Sequence, residues 1–368
     1  MRLLKPFVRD AKMREIADYV DASEFVLVES AVSSGEEEAL QAWVAANDIT
    51  GQLTAPSSET TGVLEMGGAS LQFAFAPPGG SSLMESGAKI SLLGVSRRLY
   101  AHSYLGYGAD EIQRQAYDRL REDNTDIHPC LPLGSFVEHE GDRFRGSSDV
   151  DACEHLVQSL FRTNSGREDK CEHVDAYGKR NQCSFHGVYS PDVPTTQKFV
   201  ATAGFAHWVN DVMPEDNNVT PTSLEIRMRS RDICALNVVD LQKELPRVPA
   251  EFRLSRCLIG TYIAQLVPRL KFDSSARQIE YKSEHQGQTL TWTLGAMLMA
   301  SERLPMQLVT DGLVGSGWRT LSITLLSLLA VLGIVLVILR VRRARKQQLS
   351  GQADGQQSDA LLSYVDDL

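Results

Sequence analysis

The stretch from Glu65 to Gln72 combines residue types that suit phosphate and water chemistry. Gly67 and Gly68 allow a backbone to approach a ligand closely, and successive N–H groups at such a turn form an anion-binding nest. Ser70 and Gln72 are neutral polar groups that could orient a water molecule. The carboxylate of Glu65, just before the glycines, could lie over a hydrated divalent cation. An ordinary β-hairpin explains this pattern equally well.

Three consecutive acids, Glu36, Glu37 and Glu38, stand where a helix is predicted to start. Clustered carboxylates suit general-base chemistry because the charge of one raises the pKa of its neighbour. Acids in the first turn also stabilise the helix dipole. On these residues alone, the structural role is the simpler explanation.

Helices and strands must position both stretches. Apolar spacing predicts a helix over 8–20 and a short buried strand at 25–28. Ser34 and Glu37 form a capping-box pattern, so a second helix is expected to begin at Ser34. Residues 62–76 predict two strands joined by a tight turn at the glycines. Further strands are expected at 90–95 and 99–104, helices at 109–121, 197–212 and 251–268, and a loop-rich region at 124–195.

Residues 321–339 form an apolar run without a charged side chain. At about 1.5 Å of rise per residue, a helix of this run spans the roughly 30 Å hydrocarbon layer of a bilayer. A buried core helix is the alternative. The basic residues that follow it are Arg340, Arg342, Arg343, Arg345 and Lys346. The positive-inside rule then predicts an extracytoplasmic region at 1–317, a transmembrane helix at 318–340 and a cytosolic, disordered tail at 341–368.

The cysteines agree with this topology, because all 6 precede the apolar run. Such a distribution favours disulfides in an oxidising compartment over the reduced thiols of a cytosolic domain. Asn218 begins a glycosylation sequon, which points the same way. The formal net charge of −10 implies no broad basic surface for nucleic acid. The N-terminal residues contain no apolar core of signal-peptide length, so we expect that a leading segment is missing.

Taken together, the two stretches resemble sequential motifs of the apyrases, the ecto- and Golgi nucleoside triphosphate diphosphohydrolases. The family's versions read approximately I-x-G-x-x-E-G-x-Y-x-W-V-T-x-N-Y and D-L-G-G-A-S-T-Q. The resemblance continues through AHSYLGYG at 101–108, PCLP at 129–132, CSFHGVY at 183–189 and WTLGAML at 292–298. It covers nearly the whole predicted extracytoplasmic region.

The resemblance implies a mixed α/β (α+β) fold with two lobes of the actin and hexokinase type and the nucleotide between them. Here the N-terminal lobe would be incomplete, and the second lobe would cover approximately residues 105–300. A disulfide between Cys234 and Cys257 is also implied. For Cys130, Cys153, Cys171 and Cys183, the sequence permits three pairings, of which we favour the interleaved one.

The resemblance also implies roles for individual residues. Glu38 matches the catalytic base that deprotonates the attacking water. Glu65 stands where the family has an Asp that holds Ca²⁺ or Mg²⁺ through water. Ser70 and Gln72 match the residues that position the attacking water, and Gly67, Gly68 and Ala69 match the hairpin that wraps the phosphates. Phe205, His207 and Trp208 lie where the family stacks the nucleotide base, although a core role is at least as good an explanation.

The implied activity is hydrolysis of nucleoside tri- and diphosphates in the secretory lumen, with the Golgi favoured over the cell surface. The sequence departs from the family pattern at Ala39, Gln41, Asp48, Glu65 and Leu71. The family's first phosphate loop, D-A-G-S-S, has no counterpart, and only residues 1–4 match the second, A-T-A-G-M-R-L-L. We therefore expect this polypeptide to have little or no phosphohydrolase activity. The alternative is a non-catalytic luminal membrane protein, a degenerate or truncated paralogue.

Overall fold

The computed structural model describes residues 1–77, 86–161, 183–214, 220–302, 332–334 and 336–343. The described helices are α1 (Pro6–Asp21), α2 (Gly35–Ile49), α3 (Ala109–Glu122), α4 (Val150–Leu160), α5 (Gly204–Val212), α6 (Ser223–Cys234), α7 (Val238–Glu244), α8 (Ala250–Arg253), α9 (Arg256–Arg269) and α10 (Trp292–Ser301). The described strands are β1 (Gly62–Met66), β2 (Ser70–Phe75), β3 (Gly87–Leu92), β4 (Val95–Leu105), β5 (Ile127–His128), β6 (Phe136–His139), β7 (Asp142–Gly146), β8 (Phe199–Ala203), β9 (Ile279–Tyr281), β10 (Glu284–His285) and β11 (Gln288–Thr289).

Six strands form the main sheet, in the order β3–β4–β2–β1–β8–β9. Strands β1, β2, β4 and β3 pair antiparallel in turn, whereas β8 is parallel to β1 and β9 is parallel to β8. The register places Glu65 beside both Gln72 and Thr202, and Gln72 beside Ser103. Because paired residues of neighbouring strands project to the same face, these four side chains form one polar row across β4, β2, β1 and β8.

The two faces of the sheet differ in side-chain size, as the alternation along each strand dictates. One face carries large apolar residues, among them Leu64, Phe73 and Phe199, and packs into the larger core. The other carries small or β-branched residues, including Val63, Ala74, Ala101 and Val200, and packs against α2 in a second core. The polar row continues this second face, so it lies on the side of the sheet where α2 packs.

Helix α2 is held in place at several points. Ser34 and Glu37 form the predicted capping box, with the Ser34 hydroxyl accepting from the Glu37 N–H and the Glu37 carboxylate accepting from the Ser34 N–H. Buried Asn47 exchanges two hydrogen bonds with the backbone of Thr61, at 2.8 and 2.9 Å, which ties the helix to the entry of β1. Helix α10 covers the outer side, where a Cβ at Gly295 would collide with the Gln41 backbone.

The hairpin at 62–76, the helix at 109–121 and the helix starting at Ser34 are confirmed. The buried strand predicted at 25–28 is wrong: these residues pair with no strand in the described ranges, and Val26 is 86% exposed. The helix predicted at 197–212 is wrong in its first part, because residues 199–203 form β8. The region at 124–195 is less irregular than expected, since it contains β5, β6, β7 and α4.

Two disulfides described by the structure lie in the larger core. Cys234–Cys257 links α6 to α9 as the resemblance implied, with a Cα–Cα distance of 4.8 Å. Cys130 pairs with Cys153, so the interleaved arrangement is wrong. The reason is local: backbone hydrogen bonds from Ser148 and Asp149 to residues 129–131 bring the start of α4 beside Cys130. Cys183 is also disulfide-bonded, and Cys171 lies outside the described residues.

Residues 1–304 form one compact unit. Most of the predicted transmembrane segment lies outside the described residues, as does Asn218; of that segment, 332–334 and 336–340 are described and are helical. Among the described residues, no helix has the length and apolar character needed to cross a bilayer.

Candidate functional site

The start of α3 anchors the glycine turn between β1 and β2. The first three N–H groups of α3, from residues 109–111, donate to the carbonyl oxygens of Gly67 and Gly68 at 2.8–3.1 Å. Within the described residues, the N–H groups of Gly68 and Ala69 donate to no other group. Because the carbonyls are turned to α3, these two N–H groups remain for an anionic ligand, as in a backbone nest.

Gly108 makes this close approach possible, although no role was predicted for it from the sequence. A Cβ at Gly108 would collide with the backbone of Gly68 and Ser70. The sequence does contain a signal here, because the run Gly106-Tyr107-Gly108 stands directly before a polar helix. This run indicates a flexible segment, but it does not indicate that Gly108 contacts the turn at Gly67 and Gly68.

Of the three acids in the first turn of α2, Glu38 is the one that reaches the site. Glu36 and Glu37 are exposed, and the carboxylate of Glu37 is engaged by the helix cap. Glu38 is half-buried and lies over the polar row, where its Oε2 accepts a hydrogen bond from Gln72 Nε2 at 3.0 Å. Its Oε1 accepts no hydrogen bond from the described residues, so this oxygen remains for water.

Gln72 is the centre of a hydrogen-bond network. Its Nε2 lies 2.7 Å from Ser70 Oγ, 3.0 Å from Glu38 Oε2 and 3.3 Å from Ser103 Oγ. The guanidinium of Arg2 contacts Glu38, Ser70 and Ser103 as well. Roles for Glu38, Ser70 and Gln72 were predicted from the sequence. No role was predicted for Ser103, and Arg2 was noted only as part of a match to a family motif.

Glu65 lies beside this network with an unsatisfied carboxylate. Its Oε2 is buried and accepts no hydrogen bond from the part of the chain that the structure describes. Burial raises the pKa of Glu65 to about 7, and the charge of Glu38 adds to the rise. Burial likewise raises the pKa of Glu38, against the opposing charge of Arg2. A buried carboxylate oxygen without a partner suits a hard divalent cation, so the residues present fit Ca²⁺ or Mg²⁺.

The carboxyl ends of the parallel strands β1 and β8 meet at this site. Thr202 of β8 completes the polar row and is 4% exposed. Ala203 follows with φ 54° and ψ −123°, a strained conformation for a residue with a side chain. Beyond it, Phe205 and Trp208 are fully buried in the core, which favours the core role for both, and His207 is exposed.

The nucleoside phosphatase family model GDA1/CD39 matches residues 1–313. Ectonucleoside triphosphate diphosphohydrolase 3 of Mus musculus is 27% identical over 351 residues, which cover 83% of this chain and 63% of that protein. "Probable apyrase 3" of Arabidopsis thaliana is 26% identical over 323 residues, covering 81% of this chain and 64% of that protein. The chain thus spans slightly less than two thirds of the length of these relatives.

A solved structure shares the fold. A nucleoside triphosphate hydrolase from Neospora caninum superimposes with a TM-score of 0.57 at 15% identity, covering 81% of this chain and 70% of that one. The mixed α/β architecture described above is therefore that of a nucleoside triphosphate hydrolase structure. With the family match over most of its length, the chain belongs to the GDA1/CD39 (nucleoside phosphatase) family.

Proposed function

We propose that the chain hydrolyses nucleoside tri- and diphosphates to the lower phosphate and orthophosphate. The observation that carries this proposal is the pair of hydrogen bonds that join Gln72 to Glu38 and to Ser70 beside the glycine turn. In this proposal the Glu38 carboxylate, the neutral water-orienting groups of Ser70 and Gln72, and the backbone N–H groups of Gly68 and Ala69 meet at one end of β1 and β2. These N–H groups donate to no acceptor among the described residues. The names of the relatives, which are nucleoside triphosphate diphosphohydrolases and apyrases, support the same chemistry.

Each group has a separate part in the proposed reaction. The N–H groups of Gly68 and Ala69 bind oxygens of the terminal phosphate, at a turn that α3 keeps rigid. Ser70 and Gln72 orient a water molecule for attack in line with the leaving group. Glu38 accepts the proton of that water at Oε1, while Oε2 stays hydrogen-bonded to Gln72.

A divalent cation completes the site in this proposal. Glu65 would hold Ca²⁺ or Mg²⁺ through water, and the cation would neutralise charge on the phosphate oxygens. Catalysis of this kind depends on positioning and charge, and it requires no covalent intermediate.

We also propose that the site faces the secretory lumen, with the Golgi favoured, in a protein anchored by one membrane span at 318–340. The Cys130–Cys153 and Cys234–Cys257 bonds support an oxidising compartment. The relatives named as ecto-enzymes support an extracytoplasmic position.

Orthophosphate release from ATP, ADP, GDP and UDP tests the proposal. We expect any release to require Ca²⁺ or Mg²⁺ and to stop after chelation by EDTA. Because the sequence predicts little or no turnover for this polypeptide, nucleotide binding is measured in parallel by calorimetry. Absence of both binding and release would contradict the proposal and favour a non-catalytic protein.

Glu65 gives a test that does not need turnover. Its pKa of about 7 in the folded protein exceeds the unfolded value of 4.5, so its stabilising contribution is present at low pH and is lost as pH rises toward 7. A cation that binds the ionised form should therefore raise the melting temperature more at about pH 8 than at about pH 5. Glu65→Gln should abolish this Ca²⁺ effect. An unchanged effect in Glu65→Gln would remove Glu65 from the cation site.

A further inference from the structure

One side chain in the site has no role in the scheme above. The guanidinium of Arg2 reaches across the helix start of α2 into the polar row. Its Nη2 donates to Oε2 of Glu38 and, at 2.9 Å, to Oγ of Ser70. Its Nη1 donates to Oγ of Ser103 at 3.1 Å. Arg2 therefore binds the same three side chains that Gln72 binds.

This contact is not an ordinary surface ion pair. The side chains of Arg2 and Glu38 are each 19% exposed, so water screens the pair only in part. Glu65 is a second partly buried carboxylate, and its charge interacts unfavourably with that of Glu38. Without Arg2, two carboxylates would face each other with no side-chain cation to offset the charge of Glu38.

The backbone of α2 leaves room for the guanidinium. Gly35, the first residue of α2, is buried, and a Cβ there would collide with the Ser103 side chain and with Nη1 of Arg2. Since any larger residue at this position would displace both groups, the helix start is built around the Arg2–Ser103 contact.

We propose that Arg2 is a positioning residue for the hydrolysis proposed above, on which this inference rests. The planar guanidinium group fixes Oε2 of Glu38 against Ser70 and Ser103, which leaves Oε1 directed to the attacking water. A guanidinium group is suited to this task because it donates from two nitrogens in a fixed geometry, which an ammonium group does not do. The contacts that Arg2 makes are to protein side chains, so its removal should affect turnover more than nucleotide binding.

The test is Arg2→Ala in the full chain. We expect kcat to fall by about 10–100-fold, since a base displaced by a fraction of an ångström loses much of its contribution. The dissociation constant for ADP, measured by calorimetry, should change by less than about threefold. Millimolar guanidinium chloride should restore part of the lost turnover, whereas ammonium chloride should not. Arg2→Lys should remain closer to Arg2→Ala than to the unsubstituted chain.

Arg9→Ala is the matched control, because Arg9 lies partly exposed on α1 and pairs with the adjacent Asp10. It should not change kcat. Unchanged turnover in Arg2→Ala would overturn the inference, as would equal rescue by ammonium. A loss of affinity as large as the loss of kcat would also overturn it, because Arg2 would then be a phosphate ligand.

Failure of the proposed function can be told apart from failure of this inference. The melting temperatures of Arg2→Ala, Glu38→Gln and the double variant form a double-mutant cycle, which can be measured without enzymatic turnover. Non-additive shifts support the Arg2–Glu38 contact, and additive shifts overturn it. Absence of phosphate release from the unsubstituted chain would instead overturn the proposed function, whatever the cycle gives.

Discussion

Replacing Glu38 by glutamine is expected to lower kcat by about 10²–10⁴-fold, the usual contribution of a positioned general base. The amide is nearly isosteric with the carboxylate, and its oxygen can still accept the hydrogen bond from Gln72 Nε2. The fold and the affinity for nucleotide should therefore be retained. Steady-state phosphate release, with ADP binding measured by calorimetry, separates the two effects.

The neighbouring acids are the matched controls for this substitution. Glu36→Gln and Glu37→Gln should change kcat by less than about threefold, because neither carboxylate contacts the polar row. Glu37→Gln can keep the capping box, since glutamine also accepts from the Ser34 N–H. If Glu37→Gln were the damaging substitution, the assignment of the base would be wrong by one residue.

Gly108→Ala is expected to have the second large effect, on both stability and turnover. The added Cβ would collide with the backbone of Gly68 and Ser70, which cannot move without opening the glycine turn. Overpacking of this kind costs roughly 1–3 kcal/mol of unfolding free energy. Because the turn also carries the free N–H groups, nucleotide affinity and turnover should fall together, each by at least about tenfold.

Gly67→Ala is the control for the effect on stability. A Cβ at Gly67 meets only the carbonyl oxygen of Ser70, at an ordinary contact distance of 3.6 Å. Chemical denaturation should therefore show little change for Gly67→Ala and a clear loss for Gly108→Ala. Equal loss in both variants would mean that the contact between α3 and the turn does not determine the shape of the site.

The parts of the site that depend on local pattern could be predicted from the sequence. Alternating apolar residues after Gly67 and Gly68 predicted β2, and Ser34 with Glu37 predicted where α2 begins. These signals lie within one hairpin or one helical turn, so few alternatives compete with them.

The partners of the site could not be predicted, because they depend on pairing between distant segments. Thr202 belongs to the polar row because β8 pairs parallel to β1. That pairing could not be foreseen, since the short apolar run of β8 fits a buried helix as well as a strand. Ser103 likewise enters through the register of β4 against β2. At residues 25–28 the reverse occurred: the strand composition is present, but no partner strand pairs with it among the described residues.

The disulfides show the same limit. Cys130 and Cys153 are neighbours because the segments around residues 130 and 148 pair through backbone hydrogen bonds. Cysteine spacing contains no information about that pairing, so the three connectivities could not be separated from the sequence.

The measurement that tests the central claim most directly is hydrolysis of a nucleoside diphosphate in ¹⁸O-labelled water with Ca²⁺, followed by ³¹P NMR. Attack of water on the terminal phosphorus predicts one ¹⁸O in the released orthophosphate and none in the nucleoside monophosphate. The release should fall in Glu38→Gln and persist in Glu37→Gln, and each orthophosphate that either variant releases should still carry one ¹⁸O. Label in the monophosphate, or undiminished release by Glu38→Gln, would contradict the assignment of Glu38 and the glycine turn as the site of hydrolysis.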